Sequence, residues 1–158
     1  MRWILALAFL MQLGMPSFAQ QSDQGFVTKA PRAIVVDTAT GGVLFQQRAD
    51  DLAAPASMSK LMTLAVLFKA IKDGKISTSD SITMSTNAWR TGGAPSGNAA
   101  MMVPVKSSVT IGELIQGIAV QSGNDASIAV AETMAGNEAA FAKLMTQEAR
   151  RIGLTKST

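Results

Sequence analysis

Histidine and cysteine are both absent from the 158 residues. That excludes, within this chain, zinc sites built on imidazole or thiolate, thiol nucleophiles and Ser-His-Asp triads. Any nucleophilic catalysis must therefore use serine or threonine, with lysine or a carboxylate as base. The fold also stands without disulfides. Charge is sparse, 14 Lys+Arg against 11 Asp+Glu for a net +3, and no basic cluster appears, which argues against nucleic acid as a partner. What the chain has in quantity is apolar residues, 47% of the total. That suffices for a packed core, and the length suits one domain of moderate size.

The opening stretch "MRWILALAFLMQLGMPSFAQ" has one early positive charge, an apolar run from Trp3 to Leu13, then Gly and Pro, and small residues around Ala19. This is the pattern of a secretory signal peptide over residues 1–19, cut after Ala19. A membrane anchor is the competing reading, but a spanning helix needs about 20 apolar residues and this run has about half that. The mature protein is thus expected to work outside the cytoplasm, in the periplasm or cell envelope. Residues 20–31 read as a flexible lead and 32–158 as the folded part.

In "RAIVVDTATGGVLFQQ", two β-rich runs, Ala33 to Val36 and Val43 to Gln46, flank a Gly41-Gly42 pair and predict a hairpin. An apolar pattern from Met58 to Ile71 predicts a helix that stops at Asp73-Gly74. The next forty residues hold few periodic signals, and "WRTGGAPSGNAA" reads as a glycine-rich loop; Trp89 and Arg90 are expected to be exposed there, with lining of the cleft as the alternative. Thr110 and Glu113 have capping-box spacing ahead of Ile111, Leu114, Ile115 and Ile118. After "SGN", the stretches "DASIAVAETMAG" and "NEAAFAKLMTQEARRIG" read as two further helices. Asp125 is expected to stabilise its helix through the dipole. Glu132, Glu138 and Glu148 are expected on solvated faces, and Met58, Met62, Met134 and Met145 in the core.

"PASMSKLMT" holds Ser57 and Lys60 three apart, neighbours in the first turn of the predicted helix. A lysine with a pKa near 10.4 is neutral in only about one molecule in 2,500 at pH 7. Burial penalises the charged form and makes a better base, and an apolar wall of Met58, Leu61, Met62, Leu64 and Ala65 is expected to supply it. The helix N-terminus suits a negative oxygen forming beside Ser57. Taken alone the motif is weak, since an N-capping serine and a snorkelling lysine explain it as well.

The whole run "AIVVDTATGGVLFQQRADDLAAPASMSKLMT", continued by "NAWRTGG" and "LIQGIAVQSGNDASIAVAE", resembles the serine D-alanyl-D-alanine carboxypeptidases, the small penicillin-binding proteins of bacterial cell-wall metabolism. The resemblance covers nearly everything from Arg32 onward. It implies an α+β, β-lactamase/transpeptidase-like fold, present here as the N-terminal hairpin plus a helical lobe. It implies Ser57 as the acylated nucleophile and Lys60 as its general base. Ser122 would relay a proton to the leaving group, and Asn124 would hydrogen-bond the substrate backbone. "SGN" occurs twice, and the one at Ser122 fits the family spacing, whereas Ser96 to Asn98 lies in the glycine-rich loop. On the residues alone, Ser122-Gly123-Asn124 is also readable as a helix-helix junction, with Gly for the turn and Asn as cap.

The implied activity is removal of the terminal D-alanine from peptidoglycan stem peptides, with covalent inhibition by β-lactams and no cofactor or metal. The alternatives are a D,D-endopeptidase or serine β-lactamase of the same fold, or a non-catalytic peptidoglycan-binding relative. "SGN" in place of the "SDN" usual in class A β-lactamases favours the peptidase. The family's third motif, Lys-Thr-Gly, is missing: the sequence ends at "LTKST", where no Thr-Gly follows Lys156. The chain is therefore expected to lack the later strands of the sheet and to be inactive by itself. A later C-terminal domain and an amphipathic membrane anchor are common in the family, and the resemblance leaves membrane association through such a C-terminal segment open.

Overall fold

The computed structural model describes residues 27–158, so the leader over 1–19 and most of the predicted lead lie outside the described residues. The chain divides into two compact units, Met1–Ala53 and Ala54–Thr158.

In the first unit, β1 (Ala33–Val36) and β2 (Val43–Gln47) form the expected antiparallel hairpin, with Ala33 opposite Gln47 and a register shift between Val35 and Val36. Its turn is built by Asp37. The carboxylate accepts from the Ala39 N–H at 2.9 Å and the Thr40 hydroxyl at 2.6 Å. The left-handed φ of +73° then falls on Gly41, where no Cβ opposes it.

The second unit is mostly helical. A 3-10 turn at Ala56–Met58 leads into α1 (Ser59–Lys72). No Gly or Pro interrupts α1, and its buried residues Thr63, Val66, Leu67 and Ala70 recur at helical spacing. It ends as the sequence predicts, with Asp73 as C-cap and Gly74 left-handed just beyond. Lys69 and Lys72 in its last turn complement the dipole.

Besides a 3-10 turn at Ala94–Ser96, the weakly patterned region contains two strands and a helix that the sequence reading did not anticipate. β3 (Ser81–Thr83) pairs antiparallel with β4 (Ser108–Thr110), and α2 (Thr86–Gly92) lies between them. Three-residue strands are too short to display a period. For α2 a signal was present: Ser85 is the N-cap, accepting from the Ala88 N–H at 2.9 Å, and a Gly pair follows. Trp89 and Arg90 consequently sit on a helix, and Trp89 is half-buried against the core rather than exposed in a loop.

α3 (Ile111–Gln121) opens with the expected capping box. The Thr110 N–H donates to Glu113 Oε2 at 2.7 Å, and the Glu113 N–H donates to Thr110 Oγ1 at 3.2 Å. α4 (Asn124–Ala135) ends at left-handed Gly136, and α5 (Glu138–Arg151) is capped by Asn137. Leu67, Met84, Ile111, Leu114 and Val130 form the fully buried centre of this unit. Glu148 departs from expectation. It is buried, and the Arg151 guanidinium donates to both its oxygens, at 2.7 and 2.5 Å, holding the carboxyl below the usual range. Among the described residues no helix is long and apolar enough to cross a membrane.

Candidate active site

Ser57 lies within the 3-10 turn, two residues before α1 rather than in its first turn, and it is exposed. The residue before it, Ala56, has a φ of +48°. Left-handed backbone is uncommon for a residue with a Cβ, and such strain persists only where the surroundings over-determine it. Among the described residues, no hydrogen bond joins Ser57 to Lys60, so the hydroxyl is free to meet a ligand.

Lys60 points across to the junction between α3 and α4. Its ammonium donates to the Ser122 carbonyl at 2.5 Å, to Ser122 Oγ at 3.0 Å and to Asn124 Oδ1 at 2.6 Å. All three N–H donors are thus used, on residues more than sixty positions away in sequence. Burial pushes the Lys60 pKa down, and the negative charge of Asp125 partly opposes the shift. The direction is the one expected of a base, but the wall is not the one predicted from sequence. Met58 and Leu61 are 68% and 71% exposed, whereas Met62, Leu64 and Ala65 are half-buried. Met58 is therefore not a core residue. The amine instead meets the α3–α4 junction through its three hydrogen bonds.

At that junction the Ser122 and Asn124 side chains of "SGN" both meet Lys60. Ser122 is the C-cap of α3 in the left-handed conformation, at φ +52°, which brings its carbonyl and hydroxyl together on Lys60. A Cβ at Gly123 would stand 3.1 Å from both Asp125 Oδ1 and the Met101 nitrogen, so a bare α-carbon suits this close approach. Asn124 does not cap the helix. It is the first helical residue, and its amide oxygen is spent on Lys60. A plain helix-helix junction accounts for the backbone here and leaves these side chains unexplained.

The structure brings Lys60, Ser122 and Asn124 into direct contact and leaves Ser57 outside that hydrogen-bonded set, in the 3-10 turn ahead of α1. It does not bring in the other "SGN", at Ser96 to Asn98: Ser96 bonds back to the Gly93 carbonyl, and Asn98 is exposed in the loop. Sequence reasoning missed Gly92, where an added Cβ would come within 2.6 Å of the Asp125 backbone nitrogen and 2.7 Å of the Asn124 carbonyl carbon. The "TGG" after Trp89 was its only signal. Gly92→Ala is expected to destabilise the protein by about 1–3 kcal/mol, the usual cost of overpacking, despite alanine's better helix propensity. An unchanged urea midpoint would show that α2 and α4 can move apart freely.

A family model described as D-alanyl-D-alanine carboxypeptidase matches residues 18–158. The D-alanyl-D-alanine carboxypeptidase DacC of Escherichia coli is 37% identical over 153 residues, which cover 96% of this chain and 38% of that protein. DacF of Bacillus subtilis, of the same description, is 35% identical over 130 residues, 82% of this chain and 32% of the relative. The chain spans about a third of the length of these curated relatives. Among solved structures, the D-alanyl-D-alanine carboxypeptidase DacD from Francisella tularensis superposes with a TM-score of 0.74 at 36% identity, over 84% of this chain and 31% of that one. Penicillin binding protein 5 from Haemophilus influenzae gives a TM-score of 0.75 at 30% identity, over 85% and 39%. The expected fold class is borne out by these structures.

Proposed function

This chain belongs to the D-alanyl-D-alanine carboxypeptidase family, and on that premise we propose that it carries the nucleophile half of a serine D,D-carboxypeptidase acting on peptidoglycan stem peptides outside the cytoplasm. The observation that carries the reading is the Lys60 ammonium, held by Ser122 and Asn124 of the α3–α4 junction and pushed by burial toward its neutral form.

In the proposed reaction, Ser57 Oγ attacks the carbonyl carbon of the penultimate D-alanine while its proton passes to neutral Lys60 Nζ. The amide C–N bond then breaks. The proton on Lys60 reaches the departing amine through Ser122 Oγ, which lies 3.0 Å away and can accept from one side and donate to the other. Water then cleaves the Ser57 ester, releasing the shortened peptide and restoring the hydroxyl. Asn124 is assigned to the substrate's peptide backbone: its amide nitrogen remains available when the oxygen is on Lys60. A β-lactam would acylate the same serine, but its leaving nitrogen stays tethered after ring opening, so the adduct lasts.

The test is to incubate the full-length protein with a fluorescent penicillin, digest it and locate the adduct by mass. Alongside, D-alanine release is measured from a peptide ending in D-Ala-D-Ala. The expected result is a single adduct on the peptide containing Ser57 together with release of free D-alanine. A lasting adduct with no release would favour a binding relative, and no adduct at all would overturn the reading.

A further inference from the structure

Asp125 follows the "SGN" turn, and its sequence position suggests only a helix-dipole role. The structure gives it a different one. It is completely buried, and among the described residues it makes no salt bridge, although its charge acts on Lys60. A carboxylate taken out of water is costly unless its lone pairs are occupied. Here backbone N–H groups occupy them: Oδ1 accepts from Met101 at 2.8 Å and Ala126 at 2.9 Å, and Oδ2 accepts from Val103 at 3.4 Å. Met102, between the first and third of these donors, is left-handed at φ +65°, which accompanies the convergence of the N–H groups on either side upon one carboxylate. Such a conformation is strained for methionine, and the side chain is 59% exposed, so burial of Met102 does not compensate. A further bond ties the same loop to the same turn, from the Asn124 N–H to the Ala99 carbonyl at 2.9 Å.

We propose that Asp125 is a positioning residue: its carboxylate pins the loop of residues 99–103 onto the Ser122–Asn124 turn and thereby fixes the two side chains that hold Lys60. The Asp125 carboxylate accepts from the Met101, Val103 and Ala126 N–H groups and, among the described residues, makes no hydrogen bond to Ser57 or Lys60. It acts through the turn, whose Asn124 is flanked by the loop on one side and by Lys60 on the other. The assignment deepens the proposed function and rests on it.

The test uses two variants of the full-length protein, because Asp125 is buried and its replacement carries a folding risk. Asp125→Asn keeps the shape but turns an amide N–H group toward a backbone N–H. Met102→Val leaves Asp125 in place but puts a β-branched residue at a left-handed position, opening the same joint from an exposed site. Both are expected to speed amide hydrogen exchange over residues 99–103 while leaving α1 and α5 as protected as in wild type, and to slow penicillin acylation on the order of 10- to 100-fold, the cost of displacing reacting groups by about an ångström. Only Asp125→Asn removes the negative charge that raises the Lys60 pKa, and the other Lys60 partners, Ser122 and Asn124, are neutral. Its acid limb of the acylation profile is therefore expected at lower pH, and that of Met102→Val at the wild-type pH. Met102→Gly, which permits the left-handed backbone, should restore the wild-type rate. Wild-type acylation and loop exchange in Met102→Val would overturn the proposal, as would a loss of rate in Asp125→Asn matched by faster exchange throughout the lobe. Failure of the wild type to take up penicillin would overturn the carboxypeptidase reading instead, and loop exchange in the variants would still decide this one.

Discussion

Ser57→Ala in the full-length protein is expected to reduce penicillin labelling and D-alanine release to background, a loss on the order of 10⁴- to 10⁶-fold, as for other serine nucleophiles. The fold should be untouched. Ser57 is exposed, and its hydroxyl makes no hydrogen bond to another described residue, so its removal belongs with surface substitutions that change stability by about 0.5 kcal/mol or less. The combination is diagnostic, because a residue that only capped α1 would lose stability and leave the chemistry alone. Labelling of the alanine variant at the wild-type rate, with the adduct elsewhere, would sink the assignment.

Lys60→Arg separates proton transfer from fixed charge. Arginine keeps a positive charge but cannot release its proton at accessible pH. Its planar fork also cannot reproduce the three bonds that Lys60 Nζ makes to the Ser122 carbonyl, Ser122 Oγ and Asn124 Oδ1. A fall of at least about 100-fold in acylation rate is expected, the low end of a general base's contribution. The pH dependence supplies a second check. A base works when deprotonated, so the wild-type rate should climb with pH through the Lys60 pKa. Burial lowers that pKa, which puts the climb below the range of an exposed lysine. In the arginine variant the climb should be absent. Near-normal acylation by Lys60→Arg would mean that the lysine acts only as a charge.

Much of the fold was legible because its signals are local. The hairpin around Gly41-Gly42, the Thr110–Glu113 capping box and the stops at Gly74 and Gly136 all depend on residues a few positions apart, and the chain folds them as read. The Ser57–Lys60 spacing is equally local, and the absence of histidine and cysteine had already narrowed the chemistry to that kind of pair. Which residues are buried was less legible. Met58 and Glu148 exchange their expected places, Met58 outward and Glu148 inward with Arg151, because helix periodicity gives a face but not what covers it.

The sequence by itself determined the hairpin, the long helices α1, α3, α4 and α5, the candidate nucleophile and base, and the family to which they belong; the short β3, α2 and β4 it did not reveal. Tertiary structure alone decided that the three donors of Lys60 go to Ser122 and Asn124, that Gly92 must be bare for α2 to meet α4, and that Asp125 gathers N–H groups from a loop more than twenty residues away. These are contacts between segments distant in the chain. Their geometry follows from how helices pack, and a buried carboxylate finds its partners only when the fold has brought them within hydrogen-bond reach.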